Sequence, residues 1–178
     1  AFCQSERNKS TTSIMIVVTS ITNGYDQISD DHYYDSDVQY VCYTDGSIEQ
    51  KGPWEFRDIP IEHECPLRRA LYAKIRFDNL FPIGADVAWI DSCFVMTKEW
   101  VQKSKGMFPR TMMRHPKKFT YYEEILEGYI SAFNSAEDVI KITQTAKDMG
   151  YKFRKYSSPV CACRWETVVD SPFYEMWW

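Results

Sequence analysis

Residues 66–91 read PLRRALYAKIRFDNLFPIGADVAWID, and their order decides the fold class. Pro66 can open a helix, because its ring presets φ and its missing N–H is one a first turn leaves unpaired anyway. The helix is expected to run to about Leu80, ahead of Pro82, with Leu67, Ala70, Leu71 and Ile75 as its apolar stripe. VAWI (87–90) is a short apolar run that suits a buried strand ending at Asp91. Outward from this stretch the alternation continues. IMIVVT (14–19) is closed by the Asn23-Gly24 turn signal, VQYVCY (38–43) by Asp45-Gly46, and WEFRDI (54–59) by Pro60. Thr97 can cap a short helix closed by Gly106, and residues 121–133 carry Tyr122, Ile125, Leu126, Tyr129, Ile130 and Phe133 at helical spacing. Ser135 with Asp138 resembles a capping box for a last helix that Gly150 can close, while 151–156 and 160–165 are late strand candidates. The acidic, Tyr-rich stretch 26–37 reads as an exposed loop. Strands alternating with helices predict an α/β domain with a mainly parallel central sheet.

At 178 residues the chain is the size of one domain, and such a domain buries roughly 70% of its unfolded surface, enough to stand without disulfides or a structural metal. Hydrophobic residues at 44% and charged residues at 26% describe a globular chain. A net charge of −4 argues against a general nucleic-acid coat protein, which is expected to be basic. No apolar stretch reaches the roughly 18–20 residues of a membrane span. The N-terminus carries neither a secretory pattern nor an initiator Met. A cytoplasmic setting is the expectation, with the lumenal domain of a trimmed membrane-anchored protein as the alternative. Asn8-Lys9-Ser10 is a formal glycosylation sequon. The six cysteines (Cys3, Cys42, Cys65, Cys93, Cys161, Cys163) lack the paired spacing of a zinc site, and Cys42 within its apolar run suits a buried free thiol.

In parallel sheets ligands collect outside the carboxyl ends of the strands, which directs attention to 19–26, 44–45 and 91–93. Asp91 ends a four-residue apolar run, so its carboxylate reaches the rim, where it can hold a divalent cation or simply cap the next segment. Lys74 lies on the predicted apolar stripe, three and four positions after Leu71 and Ala70. A charge there must snorkel or find an anionic partner. With Arg68, Arg69 and Arg76 it makes a cationic helix that can receive phosphates or be a solvated basic face.

The order ITNGYD (21–26), YVCYTD (40–45), WEFRDIP (54–60), RRALYAKIRFDNLFP (68–82), AWIDSCF (88–94) and HPKKFTYYEE (115–124) resembles the TOD/MUCI-type glycosyltransferase-like family. The match covers most of 14–124 and returns at Tyr174–Trp178. The resemblance implies a GT-A, Rossmann-like nucleotide-sugar-binding domain over 14–178, behind an N-terminal extension of 1–13. It implies transfer of a sugar from a nucleotide-diphosphate sugar to an unidentified acceptor. On that basis Thr19, Tyr25 and Asp45 form nucleoside-binding loops, and Arg69 and Lys74 contact the diphosphate. Asp91 stands at the leading acid of a Mn²⁺- or Mg²⁺-binding motif that the family writes D-G-N. Here it reads Asp91-Ser92-Cys93, and a thiol is a poor ligand for those ions, so metal dependence stays open. His115 matches the family's His-Pro element and completes the metal site or is a plain loop His. Glu124 is the expected base or sugar ligand, against two solvated glutamates, Glu123 and Glu124, at a helix start. Relatives continue past a Trp-Trp pair, so the chain, ending at Trp177-Trp178, is expected to be cut short or to be a minimal version. Two further readings stand beside the enzyme: a catalytically impaired sugar-nucleotide- or glycan-binding domain, and a phage-type enzyme acting on modified DNA bases through Arg114, Lys117 and Lys118.

Overall fold

The computed structural model describes residues 14–112, 130, 135–148, 163–171 and 174. Within them lie β1 (Met15–Ile21), β2 (Val38–Thr44), β3 (Trp54–Asp58), α1 (Pro66–Ile75), α2 (Phe77–Leu80), β4 (Asp86–Ile90), α3 (Lys98–Ser104), β5 (Arg110–Met112), α4 (Ala136–Asp148) and β6 (Cys163–Thr167). The strands form one sheet in the order β3-β2-β1-β4-β6-β5. β1 pairs in parallel with β2 and β4, and β2 with β3. Only β6 runs backwards, antiparallel to both β4 and β5. The predicted α/β architecture with a mainly parallel sheet is therefore present.

Period-two alternation sorts the strand residues onto two buried faces, as it must when both sides of a sheet are covered. Val18, Val41, Tyr43, Val87 and Trp89 face the layer made by Ala73, Phe77 and Phe81 of the α1–α2 segment. Val17, Tyr40, Cys42, Trp54, Ala88 and Ile90 face the opposite layer, built from Ile28, Met96 and Val101. The loop from 26 to 37 belongs to that second layer, which corrects its reading as fully exposed. Ile28 and His32 are buried. Tyr33 donates its N–H to the Met96 carbonyl at 2.8 Å, and the Met96 N–H donates to His32 Nδ1 at 3.0 Å. Burial lowers the His32 pKa, against an opposing pull from Asp31, so the ring stays a neutral acceptor.

The helix predicted over 66–80 is two helices. Pro66 takes the first turn as expected, but the backbone breaks at Arg76 (φ −89°, ψ 54°). There the guanidinium grips Asp78 through two bonds of 3.0 and 2.9 Å. α2 then ends at extended Phe81, the conformation a following proline favours. The buried face of α1 is Tyr72, Ala73 and Ile75, while Leu67 is 49% exposed. The predicted stripe thus sits partly on the wrong face, with Ile75 buried, Ala70 and Leu71 half-buried and Leu67 exposed, while Phe77 of α2 enters the core.

Thr97 caps α3 through its hydroxyl, which accepts from the Trp100 N–H at 3.1 Å. Ser135 and Asp138 form the reciprocal capping box, with bonds of 3.0 and 3.1 Å. The late strand is displaced to Cys163–Thr167. The helix expected over 121–133 lies outside the described residues apart from Ile130, which is helical and exposed. The strand expected over 151–156, Gly150, Cys3, Cys161 and the Trp177-Trp178 end also lie outside them. Cys42 and Cys163 are buried free thiols, and burial pushes Cys42 up to about 12. No helix among the described residues is long and apolar enough to cross a membrane.

Candidate functional site at the strand ends

The strand order reverses direction at β1: the chain moves outward through β2 and β3, then returns to lay β4 on the other side of β1. The segments after β1 and after β4 both pass to the layer of Ile28, Met96 and Val101. At the carboxyl ends of their strands, the rim where ligands of α/β sheets collect, the loops 22–26 after β1 and 91–93 after β4 therefore lie side by side. They are joined by the Ser92 hydroxyl, which donates to Asp26 Oδ2 at 2.7 Å.

A second junction ties the β1 loop to the β2 loop and to α1. Asn23 and Gly24 both adopt left-handed φ (56° and 60°), a pairing that asparagine and glycine tolerate at little cost. Their N–H groups thereby point at the next loop: Asn23 donates to Asp45 Oδ2 at 2.9 Å and Gly24 to Ser47 Oγ at 2.7 Å. Asp45 also accepts from Arg69 Nη2 at 3.1 Å. Thr22 Oγ1 donates to the Pro66 carbonyl at 2.9 Å, pinning the same loop to the start of α1. Burial alone would raise the Asp45 carboxyl, yet hydrogen bonds from Ser47 and Asn23 and the charge of Arg69 hold it below the ordinary 3.8. A carboxyl with a lowered folded-state pKa contributes stability that is complete above the unfolded value and lost as pH falls through the folded one. Asp45→Asn is expected to flatten the acid limb of the stability curve below about pH 4, read as the urea midpoint against pH. An unchanged limb would show that the junction is not charge-assisted.

The third element is a charged triad. Asp91 Oδ1 accepts from Lys74 Nζ at 2.8 Å and from Trp89 Nε1 at 2.7 Å. Trp89 and Asp91 share a strand face two residues apart, and Lys74 comes from α1, 5.5 Å from the centre of the Trp89 ring. The Lys74 side chain is only 14% exposed and that of Asp91 34%. The capping reading of Asp91 is present. Its backbone carbonyl closes a turn by accepting the Phe94 N–H at 3.0 Å, while its carboxylate pairs with Lys74. Asp91 Oδ2 has no hydrogen-bond partner among the described residues.

Of the predicted site residues, the structure brings Tyr25, Asp45, Arg69, Lys74 and Asp91 to one end of the sheet. Tyr25 projects at 92% exposure. Thr19 is the correction: it lies inside β1, not in the loop after it, and is 1% exposed. Its hydroxyl is buried without a partner, so Thr22 occupies the loop position instead. Arg76 is committed to Asp78, and Arg68 is exposed. His115, Glu123, Glu124 and the cations Arg114, Lys117 and Lys118 lie outside the described residues. The sequence motifs contain Asp26 and Trp89 but give neither an individual role. A signal for Trp89 existed, since a residue two before a strand-end acid shares its face.

The described residues do not fit a divalent cation at Asp91. No group of three or more His, Cys, Asp or Glu side chains among them can hold a metal ion. Burial, then the carboxylates of Asp91 and Asp26, push the Cys93 thiol up, and a thiol is in any case a poor ligand for Mn²⁺ or Mg²⁺. Above all, Oδ1 already carries an ammonium. A cation added beside Lys74 meets like-charge repulsion of about 4 kcal/mol per unit charge at surface-like effective dielectric and contact distance.

Fold and rim together define an α/β protein whose mostly parallel sheet is compatible with a Rossmann-like fold. No family model, no curated protein and no solved structure matches the chain.

Proposed function

We propose that the chain is a GT-A-type glycosyltransferase that moves a sugar from a nucleotide-diphosphate sugar to a hydroxyl acceptor. The observation that carries this reading is that exposed Tyr25, the Arg69–Asp45 pair and the Lys74–Asp91 pair stand on the carboxyl-end rim of one sheet. An aromatic face suits a nucleobase, and cations backed by carboxylates suit a diphosphate whose charge grows as it departs. In the reaction the acceptor oxygen bonds to the anomeric carbon as the bond to the diphosphate breaks. The diphosphate leaves with that electron pair, and the acceptor proton passes to a carboxylate. Asp91 and Glu124 are the proposed acids of the site, and Mn²⁺ or Mg²⁺ takes part only where Asp91 is released from Lys74.

The test is a screen of common nucleotide sugars by thermal shift, since a ligand that binds only the folded state raises its stability, followed by nucleotide release with candidate acceptors. No shift with any donor would end the reading. Tyr25→Ala is expected to weaken binding of the responding nucleotide about 10-fold, within the range measured for lost aromatic–base stacking. Unchanged affinity in a titration would remove Tyr25 from the site.

A second reading is favoured by the Lys74–Asp91 pair and by Cys93: a domain that binds sugar nucleotides or glycans without turning them over. Donor binding by calorimetry with neither hydrolysis nor transfer would select it. Action on DNA bases rests on Arg114, Lys117 and Lys118 alone. Unretarded DNA at low salt would dismiss it.

A further inference from the structure

We infer that Lys74 is a built-in counter-ion that makes nucleotide binding at this rim independent of a divalent metal, with Asp91 acting as the residue that positions it. The inference rests on the nucleotide reading of the strand-end rim and adds how the diphosphate charge is met there. In a metal-dependent site the strand-end acid presents its oxygens to a cation, which in turn bridges to phosphate. Here the strand-end acid presents Oδ1 to the Lys74 ammonium, at 2.8 Å, and to the Trp89 indole N–H, at 2.7 Å.

The ammonium is held by the Asp91 carboxylate and lies over the Trp89 ring. Lysine usually loses much rotamer freedom when it binds an anion. With a side chain only 14% exposed, Lys74 has already lost it in the folded protein. An ammonium has three donors, and the carboxylate takes one. A phosphate oxygen approaching the rim therefore meets an ordered cation with N–H groups to spare. Arg69, fixed by Asp45 at 3.1 Å on the same helix, supplies a second cation at the rim. The same pairing disfavours the metal, because a divalent ion must either displace the ammonium from Asp91 or sit against it.

The experiment is calorimetric titration of the full chain with UDP, GDP, ADP and CDP, once in excess EDTA and once in excess Mn²⁺. At least one diphosphate is expected to bind with affinities agreeing to about twofold between the two buffers. In Lys74→Met, binding in EDTA is expected to fall by about 10- to 100-fold, the loss of a charge-assisted hydrogen bond. Mn²⁺ is expected to restore part of it, since Asp91 is then released to hold the ion. Wild-type binding that requires Mn²⁺ overturns metal independence and leaves the nucleotide reading standing. Unchanged Lys74→Met affinity in EDTA overturns the assignment of Lys74. Absence of binding by all four diphosphates in both buffers overturns this inference and the nucleotide reading together. The wild-type comparison needs no variant, so a folding defect in Lys74→Met leaves the test intact.

Discussion

In an Asp91→Ala variant, donor-dependent nucleotide release is expected to fall about 100-fold, equivalent to about 2.7 kcal/mol of barrier. The size follows from what Oδ1 holds. Removing the carboxylate takes away the acceptor of the Lys74 ammonium and of the Trp89 indole. Hydrogen bonds to charged groups are each worth about 1.5–3 kcal/mol, and an ammonium left without its partner costs desolvation as well. The freed Lys74 side chain then samples several rotamers, so it reaches the diphosphate less often and in poorer geometry. Affinity and turnover should fall together, because the same cation meets the diphosphate before and during departure. Asp91→Asn should lie between wild type and alanine, since an amide oxygen still accepts but carries no charge. Turnover unchanged in Asp91→Ala would sink the role assigned to this residue. Melting curves of the variants separate a site effect from a folding one.

The largest expected effect on stability belongs to Phe77→Ala, at about 3–5 kcal/mol. Phe77 is fully buried where α1 breaks and α2 begins. It packs edge-on to Phe81 with ring centres 6.0 Å apart, and the Arg164 guanidinium sits 4.1 Å from its ring centre. Arg164 belongs to β6 and is 4% exposed, with Glu166 at 3.5 Å. Truncating the ring therefore opens a cavity under the sheet and strips a buried cation of its aromatic face. The melting temperature is expected to drop by about 10 °C for a domain of this size. Phe77→Leu, which keeps most of the volume, should lose less than about 1.5 kcal/mol. An alanine variant as stable as wild type would show that this face of the sheet is not packed as described.

Much of the fold was legible in local pattern. VAWI and VQYVCY are apolar on both faces, and only a covered parallel sheet satisfies such a run. Pro66, Thr97 and the Ser135/Asp138 box act through bonds within one turn, so their reading carries over to the structure directly. The helix over 66–80 was read as one because helical period assumes an unbroken helix, and its stripe was misplaced because neighbours distant in sequence choose the covered face. The Arg76–Asp78 bond and the burial of Phe77 reward a break that periodicity does not encode. The loop over 26–37 was misread for a related reason. Its polar composition hides one isoleucine and one histidine whose burial depends on Met96, more than sixty positions away.

At the site, strand-end position directed attention to the loops that hold Tyr25, Asp45 and Asp91, and the structure brings Arg69 and Lys74 of α1 to Asp45 and Asp91. Their roles toward one another were not legible. Lys74 on an apolar stripe required an anionic partner, but the sequence left open whether that partner was a ligand or the protein. Thr19 illustrates the opposite failure, since the strand run IMIVVT already contained it, and the loop role that the resemblance implied falls on a buried strand hydroxyl.

By itself, the sequence determined the alternation of elements, the caps, the turns at Asn23-Gly24 and Asp45-Gly46, and the delivery of an acid to the end of β4. These depend on backbone preference and on neighbours within a few positions. Only the tertiary structure decided that Asp91 is partnered by Lys74 and Asp45 by Arg69, and that β6 runs against its neighbours. Those outcomes depend on which strand ends and helix faces meet across long separations, where chain topology rather than local chemistry chooses the partner of each charge.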